Sequence, residues 1–256
     1  TLGRAGWAGG ETAGRMRLHV AAGEKSRTQQ NPCSPFGWMS AAHRQNMNKL
    51  GKKTRFKIQR ALGLELPGLG KPGALEKRAY PPGQHGRDKK RKPEGFAKQL
   101  QEKQKLLFHY GLREEQLRRF VRRAKRSSSS DWMEKLIGLL ELRLDNIVFR
   151  LGFARSIAAA RQLVSHGHVL VDDRVESIGS MILWPSARVR LTGKANQFEA
   201  TKFSRSLPRL AVPSYLQLNL TETADEGIIV GHPTSEHIPF EFNKTLVAEY
   251  YANRGV

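Results

Sequence analysis

The apolar positions of this chain recur at three- and four-residue spacing over two stretches, which is the period of an amphipathic helix. They predict one helix that starts near Phe96 and stops at Gly111, and a second helix over residues 112–126. The apolar stripe of the second helix consists of Leu117, Phe120, Val121 and Ala124.

Polar residues that cap helices divide the stretch that follows. Asp131 precedes an apolar run and Glu134 comes three residues later, which is the pattern of a capping box. The apolar face widens near Glu141, and this predicts two short helices joined by a bend there. Ser156 has the position of an N-cap for one more helix over residues 157–165.

After these helices the pattern changes to alternation of apolar and polar residues. Residues 168–171 and 188–191 predict strands. Residues 172–186, between them, hold turn residues and room for one further strand. Residues 211–256 return to mixed strand and loop and end in a predicted helix over residues 244–253. The pattern as a whole predicts an α+β protein.

The charge of the chain is strongly basic and unevenly distributed. Lys plus Arg number 44 against 23 Asp plus Glu, for a formal net charge of +21. Residues 47–126 carry +17 of this excess, whereas residues 127–256 are balanced. Such an excess favours a polyanionic partner, either nucleic acid or an anionic membrane surface. The chain has no apolar run of 18 residues and no large amphipathic apolar face, so we expect nucleic acid rather than a membrane.

The first 46 residues differ from the rest of the chain. Residues 1–46 are rich in Gly, Ala and Arg without an apolar period, and we expect them to be disordered. Met47 is a candidate for the true initiator, in which case residues 1–46 are upstream sequence that is not native to the protein. The alternative is that residues 1–46 are an organellar transit peptide. Cys33 is the only cysteine, so we expect no disulfide and no cysteine-based metal cluster. We also expect no other metal site and no cofactor.

A Pro- and Gly-rich basic segment over residues 78–92 is the first candidate for RNA contact. Its two consecutive prolines stiffen the backbone, and its glycines allow close approach to another surface. Tyr80 offers a flat ring, and Gln84 and His85 offer hydrogen bonds. This composition suits a loop that lies against an RNA backbone, but it suits an ordinary turn with a solvated histidine equally well.

A second candidate lies on the predicted helices after Glu141. Arg143 and Arg150 are seven residues apart, which places them on one face of a helix, and Arg155 starts the next helix. The result is a small positive face that suits the phosphates and sugar hydroxyls of a helical RNA. We expect Asp145 and Asn146 to serve locally, by a salt bridge or a cap. The exposed side of the later helix is predicted to carry Arg161, Gln162, Ser165 and His166.

Residues 142–171 closely resemble the small RNA-binding module called the alpha-L motif. Residues 49–251 as a whole resemble the family of bacterial-type small-subunit ribosomal protein four. This wider resemblance also rests on three short segments, Pro82–Gly86, Gln99–Lys105 and Asn243–Tyr251, in this order and at these distances. It implies a helical N-terminal domain packed with the C-terminal tail, and an inserted alpha-L lobe of short helices and a small antiparallel sheet.

The resemblance also implies a division of the chain and a function. Its expected segments are a leader or non-native extension over 1–46, a basic helical RNA-binding domain over 47–140, an alpha-L domain over 141–205, and a tail over 206–256 that returns to the N-terminal domain. Members of the family bind a multi-helix junction in the 5′ domain of small-subunit ribosomal RNA and help nucleate assembly. They also lie where messenger RNA enters the subunit, beside ribosomal proteins three and five, and the contact with protein five affects decoding accuracy.

The expected compartment is the cytoplasm of a bacterial-type cell, or a mitochondrion or plastid if residues 1–46 are a transit peptide. Charge, composition and the resemblance together select the side chains that we expect to face RNA. They are Lys52, Lys53, Arg55, Arg60, Arg78, Tyr80, Gln84, His85, Arg87, Lys89, Lys90, Arg91, Lys92, Lys103, Lys105, Arg118, Arg122, Arg143, Arg150, Arg155, Arg161, Gln162, Ser165 and His166.

The chain departs from the family pattern at two turns. Many relatives have Asn-Gly where this chain has Asp172-Asp173, and two carboxylates repel phosphate, so we expect no direct RNA contact at that turn. Relatives often have Pro-Gly-Asp where this chain has Pro185-Ser186-Ala187, which changes the turn chemistry.

An enzyme is the main alternative class. A pseudouridine synthase or another RNA-modifying enzyme can carry the same module, but it needs a separate catalytic domain of well over 100 residues. Only about 50 residues follow Arg205, and the ribosomal resemblance accounts for them. No Walker loop, His-Glu-x-x-His or Gly-x-Ser-x-Gly motif occurs, and the scattered histidines suit surface or core positions. We therefore predict a binding protein and not an enzyme.

Overall fold

A computed structural model describes residues 54–69, 72–73, 75–88, 93–126, 131–220 and 225–254. The leader predicted over residues 1–46 lies outside this range, as do Lys52, Lys53 and the four basic residues 89–92. Among the described residues, no helix combines the length and the apolar character needed to cross a membrane.

The elements of the described residues follow the α+β class that the sequence predicts. The helices before the sheet are α1 (Arg55–Leu62), α2 (Phe96–His109), α3 (Glu114–Lys125), α4 (Trp132–Glu141), α5 (Leu144–Arg150) and α6 (Ile157–Ser165). Next come β1 (Val169–Val171), β2 (Arg174–Glu176), β3 (Arg188–Leu191), α7 (Gly193–Gln197) and α8 (Glu199–Ser206). The tail adds β4 (Leu216–Leu220), β5 (Asp225–Ile229), a 3₁₀ turn (Ser235–His237) and α9 (Lys244–Ala252).

The helix starts that the sequence predicts from capping residues are confirmed. The Asp131 carboxylate accepts the backbone N–H of Glu134 at 3.1 Å, which satisfies one free donor at the start of α4. The Ser156 hydroxyl accepts the backbone N–H of Ala159 at 3.2 Å at the start of α6. Both caps depend only on neighbouring residues, which is why the sequence reveals them.

The predicted bend near Glu141 is also confirmed, because α4 ends at Glu141 and α5 begins at Leu144. An extended segment supports the chain at the bend. Arg143 pairs with Ile182 in an isolated antiparallel bridge, and the Leu144 N–H donates to the Met181 carbonyl at 2.9 Å. The backbone groups that the bend frees from helical bonding are thus satisfied.

Within the described residues, five antiparallel strands form one sheet in the order β2-β1-β3-β5-β4. The two strands predicted around 168–171 and 188–191 are confirmed as β1 and β3, and the additional strand is β2. The pairing of β5 with β3, in which Val189 lies opposite Gly227, was not predicted. A Cβ at residue 227 would overlap the Leu151 side chain, so the sheet packs closely against the end of α5 only because this residue is glycine.

One buried core continues from the early helices through the sheet to the last helix. Its fully buried members include Leu117 of α3, Ile147 of α5, Val189 of β3 and Tyr251 of α9. Because Tyr215, Ile229 and Tyr251 of the tail share this core, the tail is an integral part of the fold and not an appendage.

The tail also contacts α4 through polar groups, and here one detail of the prediction is wrong. Glu134 does not complete a capping box with Asp131. Its carboxylate instead pairs with Lys244 and accepts the Ser235 N–H at 2.9 Å. Partial burial raises the pKa of Glu134. The hydrogen bonds from Lys244 and Ser235 together lower this pKa by more than burial raises it, so the net shift is downward. This contact supplements the packing of α9 against α2.

Two turns of the sheet region place residues other than glycine in the left-handed region. Asp172 and Asp173 connect β1 to β2 with φ of 46° and 69°, as a two-residue type I′ turn requires. The Asp172 carboxylate accepts the Arg188 N–H at 2.9 Å, and Asp173 pairs with Arg190. Both carboxylates thus bind groups of β3.

The second turn runs from Trp184 to Ala187, where the Ala187 N–H donates to the Trp184 carbonyl at 3.3 Å. Pro185 occupies its second position, and Ser186 occupies its third position with a φ of 76°. This is the position at which a type II turn favours glycine. Ser186 is therefore held in an unfavourable conformation by the sheet, through its N–H bond to the Ile229 carbonyl at 2.8 Å.

Candidate nucleic-acid interface

The basic loop after α1 is organised around Tyr80. The Arg60 Nε donates to the Tyr80 carbonyl at 2.9 Å, and its guanidinium carbon lies 4.9 Å from the centre of the Tyr80 ring. The Arg87 guanidinium carbon lies 5.3 Å from the same centre. A hydrogen bond from Arg87 lowers the pKa of the Tyr80 hydroxyl, against a smaller opposing effect of desolvation. Tyr80 thus contacts two of the arginines that the sequence predicts to face RNA.

The tip of this loop is exposed, as expected from the sequence. Gln84 and His85 are exposed, and His85 Nδ1 lies 3.0 Å from the Asp88 carboxylate. Gly86 is required by the sharpness of the turn, since a Cβ there would overlap the Pro81 carbonyl oxygen. The described part of the loop therefore presents polar groups on a tightly folded backbone.

The two lysines predicted on α2 are engaged within the protein. Lys103 is buried, and its ammonium group lies 2.6 Å from the Glu114 carboxylate and 5.0 Å from the centre of the Tyr250 ring. Lys105 lies 2.6 Å from the Glu102 carboxylate and also donates to the Glu241 carbonyl at 3.2 Å. Both ammonium groups stabilise the packing of α2, so they are weaker candidates for RNA contact.

Helix α3 carries the largest group of exposed arginines in the described residues. Arg118 lies 3.4 Å from Glu114 and is half-buried, whereas Arg122 is exposed. Arg119 and Arg123 are exposed as well but were not among the predicted site residues. Their four-residue spacing, which places both on one side of the helix, is the signal that could have selected them.

The expectation that Arg143 lies on an exposed positive face is wrong. The side chain is 3% exposed, and its guanidinium donates to both oxygens of Asp145 at 3.0 and 2.7 Å. Its guanidinium carbon also lies 5.6 Å from the centre of the Phe120 ring. Arg143 is the N-cap residue of α5, so the assumption of a continuous helix from 143 to 150 placed it on the wrong surface.

The same correction applies to Arg150, which is also 3% exposed. Its guanidinium donates to both oxygens of Glu141 at 3.2 Å and to the His237 carbonyl. A buried carboxylate with no competing solvent is a strong partner for a guanidinium, so the pair remains inside the protein. In this fold Arg150 stabilises the bend between α4 and α5 and presents no cation at the surface.

The exposed side of α6 agrees with the prediction. Gln162, Ser165 and His166 are exposed, and Arg161 is partly exposed. Arg161 is also held by the protein, because its Nη2 lies 2.7 Å from the Asp145 carboxylate. The expected local role of Asp145 is therefore confirmed, since this carboxylate pairs with both Arg143 and Arg161.

Comparisons with known proteins match two regions of this chain and relatives along most of its length. The family model of the ribosomal protein S4/S9 N-terminal domain matches residues 44–141, and that of the S4 domain matches residues 142–189. A small ribosomal subunit protein uS4B of Bdellovibrio bacteriovorus is 51% identical over 209 residues, covering 82% of this chain and 100% of the relative. The uS4 proteins of Cyanothece sp. and Acaryochloris marina are each 45% identical over 202 residues, covering 78% of this chain and 96% of the relative.

The chain belongs to the ribosomal protein S4 family. Members of the S4 family are structural ribosomal proteins, so the prediction that this chain is not an enzyme is confirmed. The two family matches meet between Glu141 and Leu142, which is the bend between α4 and α5. In this S4 protein the bend thus coincides with the junction of the two matched regions.

Three arginines converge beside α1 in the S4 fold, and one of them was not predicted. Burial lowers the pKa of Arg209, and the positive charges of Arg155 and Arg55 lower it further. Arg209 also donates to the Pro67 carbonyl at 3.4 Å. No sequence pattern links residues 55, 155 and 209, because the chain brings them together only on folding. Like charges near one another disfavour the charged form of each group, which is the direction of the Arg209 pKa shift.

Proposed function

We propose that this chain binds the 5′ domain of small-subunit ribosomal RNA at a multi-helix junction and helps nucleate assembly of the subunit body. The observation that carries the proposal is the row of exposed arginines on α3, to which the exposed Arg78 and Arg87 of the basic loop add further cations. A surface of this kind binds RNA largely by releasing the counterions that phosphates hold. The family resemblance supports the particular RNA domain.

The proposed surface differs from the one expected from the sequence. It includes the exposed residues Arg55, Arg78, Arg87, Arg119, Arg122 and Arg123, together with Gln84, His85, Gln162, Ser165 and His166. Arg143 and Arg150 are left out of this surface because both are buried in ion pairs within the protein. The basic residues at 52–53 and 89–92 lie outside the described residues and remain proposed contacts.

We further propose that the assembled protein lies where messenger RNA enters the small subunit, beside ribosomal proteins three and five, and that its contact with protein five affects decoding accuracy. Family membership supports these partners. The proposed location is the bacterial-type small subunit, with an organellar ribosome as the alternative if residues 1–46 are a transit peptide.

A salt titration tests RNA binding directly. The affinity of the full chain for a 5′-domain RNA transcript is measured by filter binding from 50 to 200 mM salt. If 6–10 phosphates are neutralised, the affinity falls by about 10³- to 10⁵-fold over this range. An affinity that does not depend on salt contradicts the proposal, as does equal affinity for the 5′ domain and for an unrelated structured RNA of the same length.

A further inference from the structure

A cavity of about 470 Å³ opens between α6 and the α7–α8 segment. Five aromatic rings line it, and two of them are unusually exposed for phenylalanine: Phe198 is 39% exposed and Phe203 is 52% exposed. The other three rings belong to Phe153, His166 and His168. Its polar lining groups include Gln162 and Arg155, and no Asp or Glu of the described residues lines it.

The rings of this aromatic cavity contact one another or a neighbouring guanidinium group. The His168 ring meets the Phe198 ring nearly at a right angle, with centres 5.1 Å apart. The Arg155 guanidinium carbon lies 4.3 Å from the centre of the Phe203 ring. The cavity is therefore formed before any ligand enters, which reduces the ordering that binding would require.

A second cavity of about 300 Å³ adjoins α1 and shares Arg155 with the aromatic cavity. It is also lined by Arg209, whose positive charge is crowded by those of Arg155 and Arg55. A carboxylate that lines it, Glu65, accepts the Leu75 N–H at 3.4 Å. Arg155 Nε is buried and has no hydrogen-bond partner among the described residues. Arg155 thus stands between an aromatic cavity and a cationic one.

We propose that the aromatic cavity binds one unpaired nucleobase of the RNA, and that the cationic cavity binds a phosphate adjacent to that base. This inference rests on the proposed function and specifies its mode of recognition. Aromatic rings and guanidinium planes stack on splayed-out bases, which is how proteins commonly recognise single-stranded RNA positions. The lack of a described carboxylate in the aromatic cavity and the crowding of three arginines beside it suit a polyanion rather than a basic or neutral peptide.

The test compares replacements of Phe203 that separate stacking from apolar contact. Phe203→Tyr keeps the ring, whereas Phe203→Leu keeps apolar volume without it. Trp184→Leu is the matched control, because Trp184 is 56% exposed and does not line the cavity. Affinity for the 5′-domain transcript is measured by filter binding, and chemical probing of the bound RNA with dimethyl sulfate and an acylating reagent reports the state of each nucleotide.

We expect Phe203→Leu to weaken RNA binding about tenfold and to expose one nucleotide that the unchanged protein protects. Phe203→Tyr and Trp184→Leu should retain both the affinity and the protection. Circular dichroism tests whether each variant is folded. We expect all of them to fold, because the Phe203 side chain is half exposed and contributes little to the core.

Equal affinity and an identical probing pattern for Phe203→Leu and the unchanged protein overturn the inference. If Phe203→Leu instead binds RNA normally but is missing from reconstituted subunits, the cavity binds a neighbouring protein and the inference is also overturned. In both cases salt-dependent binding to the 5′ domain would persist, so the proposed function would stand. Failure of the unchanged protein to bind the 5′ domain would contradict the proposed function itself.

Discussion

The Tyr215 hydroxyl donates a 2.8 Å hydrogen bond to the Glu141 carboxylate, across 74 residues of chain. The same carboxylate accepts hydrogen bonds from Tyr110, Asn146 and Arg150. Burial by itself raises the pKa of Glu141. The charge of Arg150 and the hydrogen bonds together lower this pKa by more than burial raises it, so the net shift is downward. One buried anion thus joins the end of α2, the bend after α4 and the tail.

The first prediction concerns the buried partner of this anion. Arg150→Ala leaves the Glu141 charge without its cation in a site closed to solvent. Removing one member of a buried ion pair costs about 3–5 kcal/mol, and we expect a decrease of this size in the free energy of unfolding. Urea denaturation followed by circular dichroism measures it. Arg122→Ala on the exposed side of α3 is the control and should change stability by about 0.5 kcal/mol or less. Equal effects of the two replacements would contradict a stabilising role of Arg150.

The second prediction concerns His109, whose ring is fully buried. Neither ring nitrogen has a hydrogen-bond partner among the described residues. Burial is the main cause that lowers the pKa of His109 to about 3. In the unfolded chain the pKa is about 6.5, so as the pH falls below about 6.5 the unfolded chain binds a proton that the folded chain does not. Stability therefore decreases on acidification.

This decrease amounts to about 2 kcal/mol at pH 5 relative to neutral pH. His109→Phe retains the ring, removes the titrating group and leaves no buried donor unpaired. We expect it to stabilise the fold at neutral pH and to reduce the decrease in unfolding free energy between pH 7.5 and pH 5. The exposed His85→Gln is the control. The same pH dependence in His109→Phe and the unchanged protein would exclude His109 as its source.

The third prediction concerns the left-handed Ser186. Glycine adopts a φ of 76° without strain, so we expect Ser186→Gly to raise the free energy of unfolding by about 1 kcal/mol. Thermal denaturation measures the change. Ser180→Gly is the control, because Ser180 has no positive φ and the replacement should only increase the freedom of the unfolded chain. A lower melting temperature for Ser186→Gly would show that the hydroxyl contributes more than the backbone strain costs.

The fourth prediction concerns the exposed side of α3. If Arg119 and Arg123 each bind a phosphate, replacing both with Gln should weaken RNA binding at low salt. The slope of log affinity against log salt should become shallower by about two, one for each phosphate that the variant no longer neutralises. The control is Arg174→Gln, which removes a similarly exposed cation beside the carboxylates of the Asp172-Asp173 turn. A slope unchanged by the α3 replacements would exclude this helix from the RNA surface.

The features that the sequence predicts well are those determined by neighbouring residues. The Asp131 and Ser156 caps, the bend after Glu141 and the alternating strands each depend on residues within a few positions of one another. The apolar stripe of α3 can be predicted for the same reason, because the three- and four-residue spacing of its apolar residues indicates which side of the helix is buried.

The features that the sequence does not reveal depend on distant partners. An arginine has the same sequence signature whether it faces RNA or a buried carboxylate. Arg150 is internal because Glu141, the His237 carbonyl and the folded tail surround it. Likewise, Arg209 approaches Arg55 and Arg155 only after the chain has folded. Charge counts therefore identify the class of partner more reliably than the individual contacts.

The pairing of β5 with β3 has a consequence for synthesis of the protein. Until residues 225–229 have left the ribosome that is making the chain, β3 has one open edge, with unpaired backbone groups that can join a strand of another molecule. The buried Glu141 likewise gains its hydrogen bond from Tyr215 only after that residue has been added to the chain. The same holds for the His237 carbonyl, which accepts a hydrogen bond from Arg150. Nascent chains of this protein thus keep an open strand edge, which favours aggregation, until β5 has paired with β3.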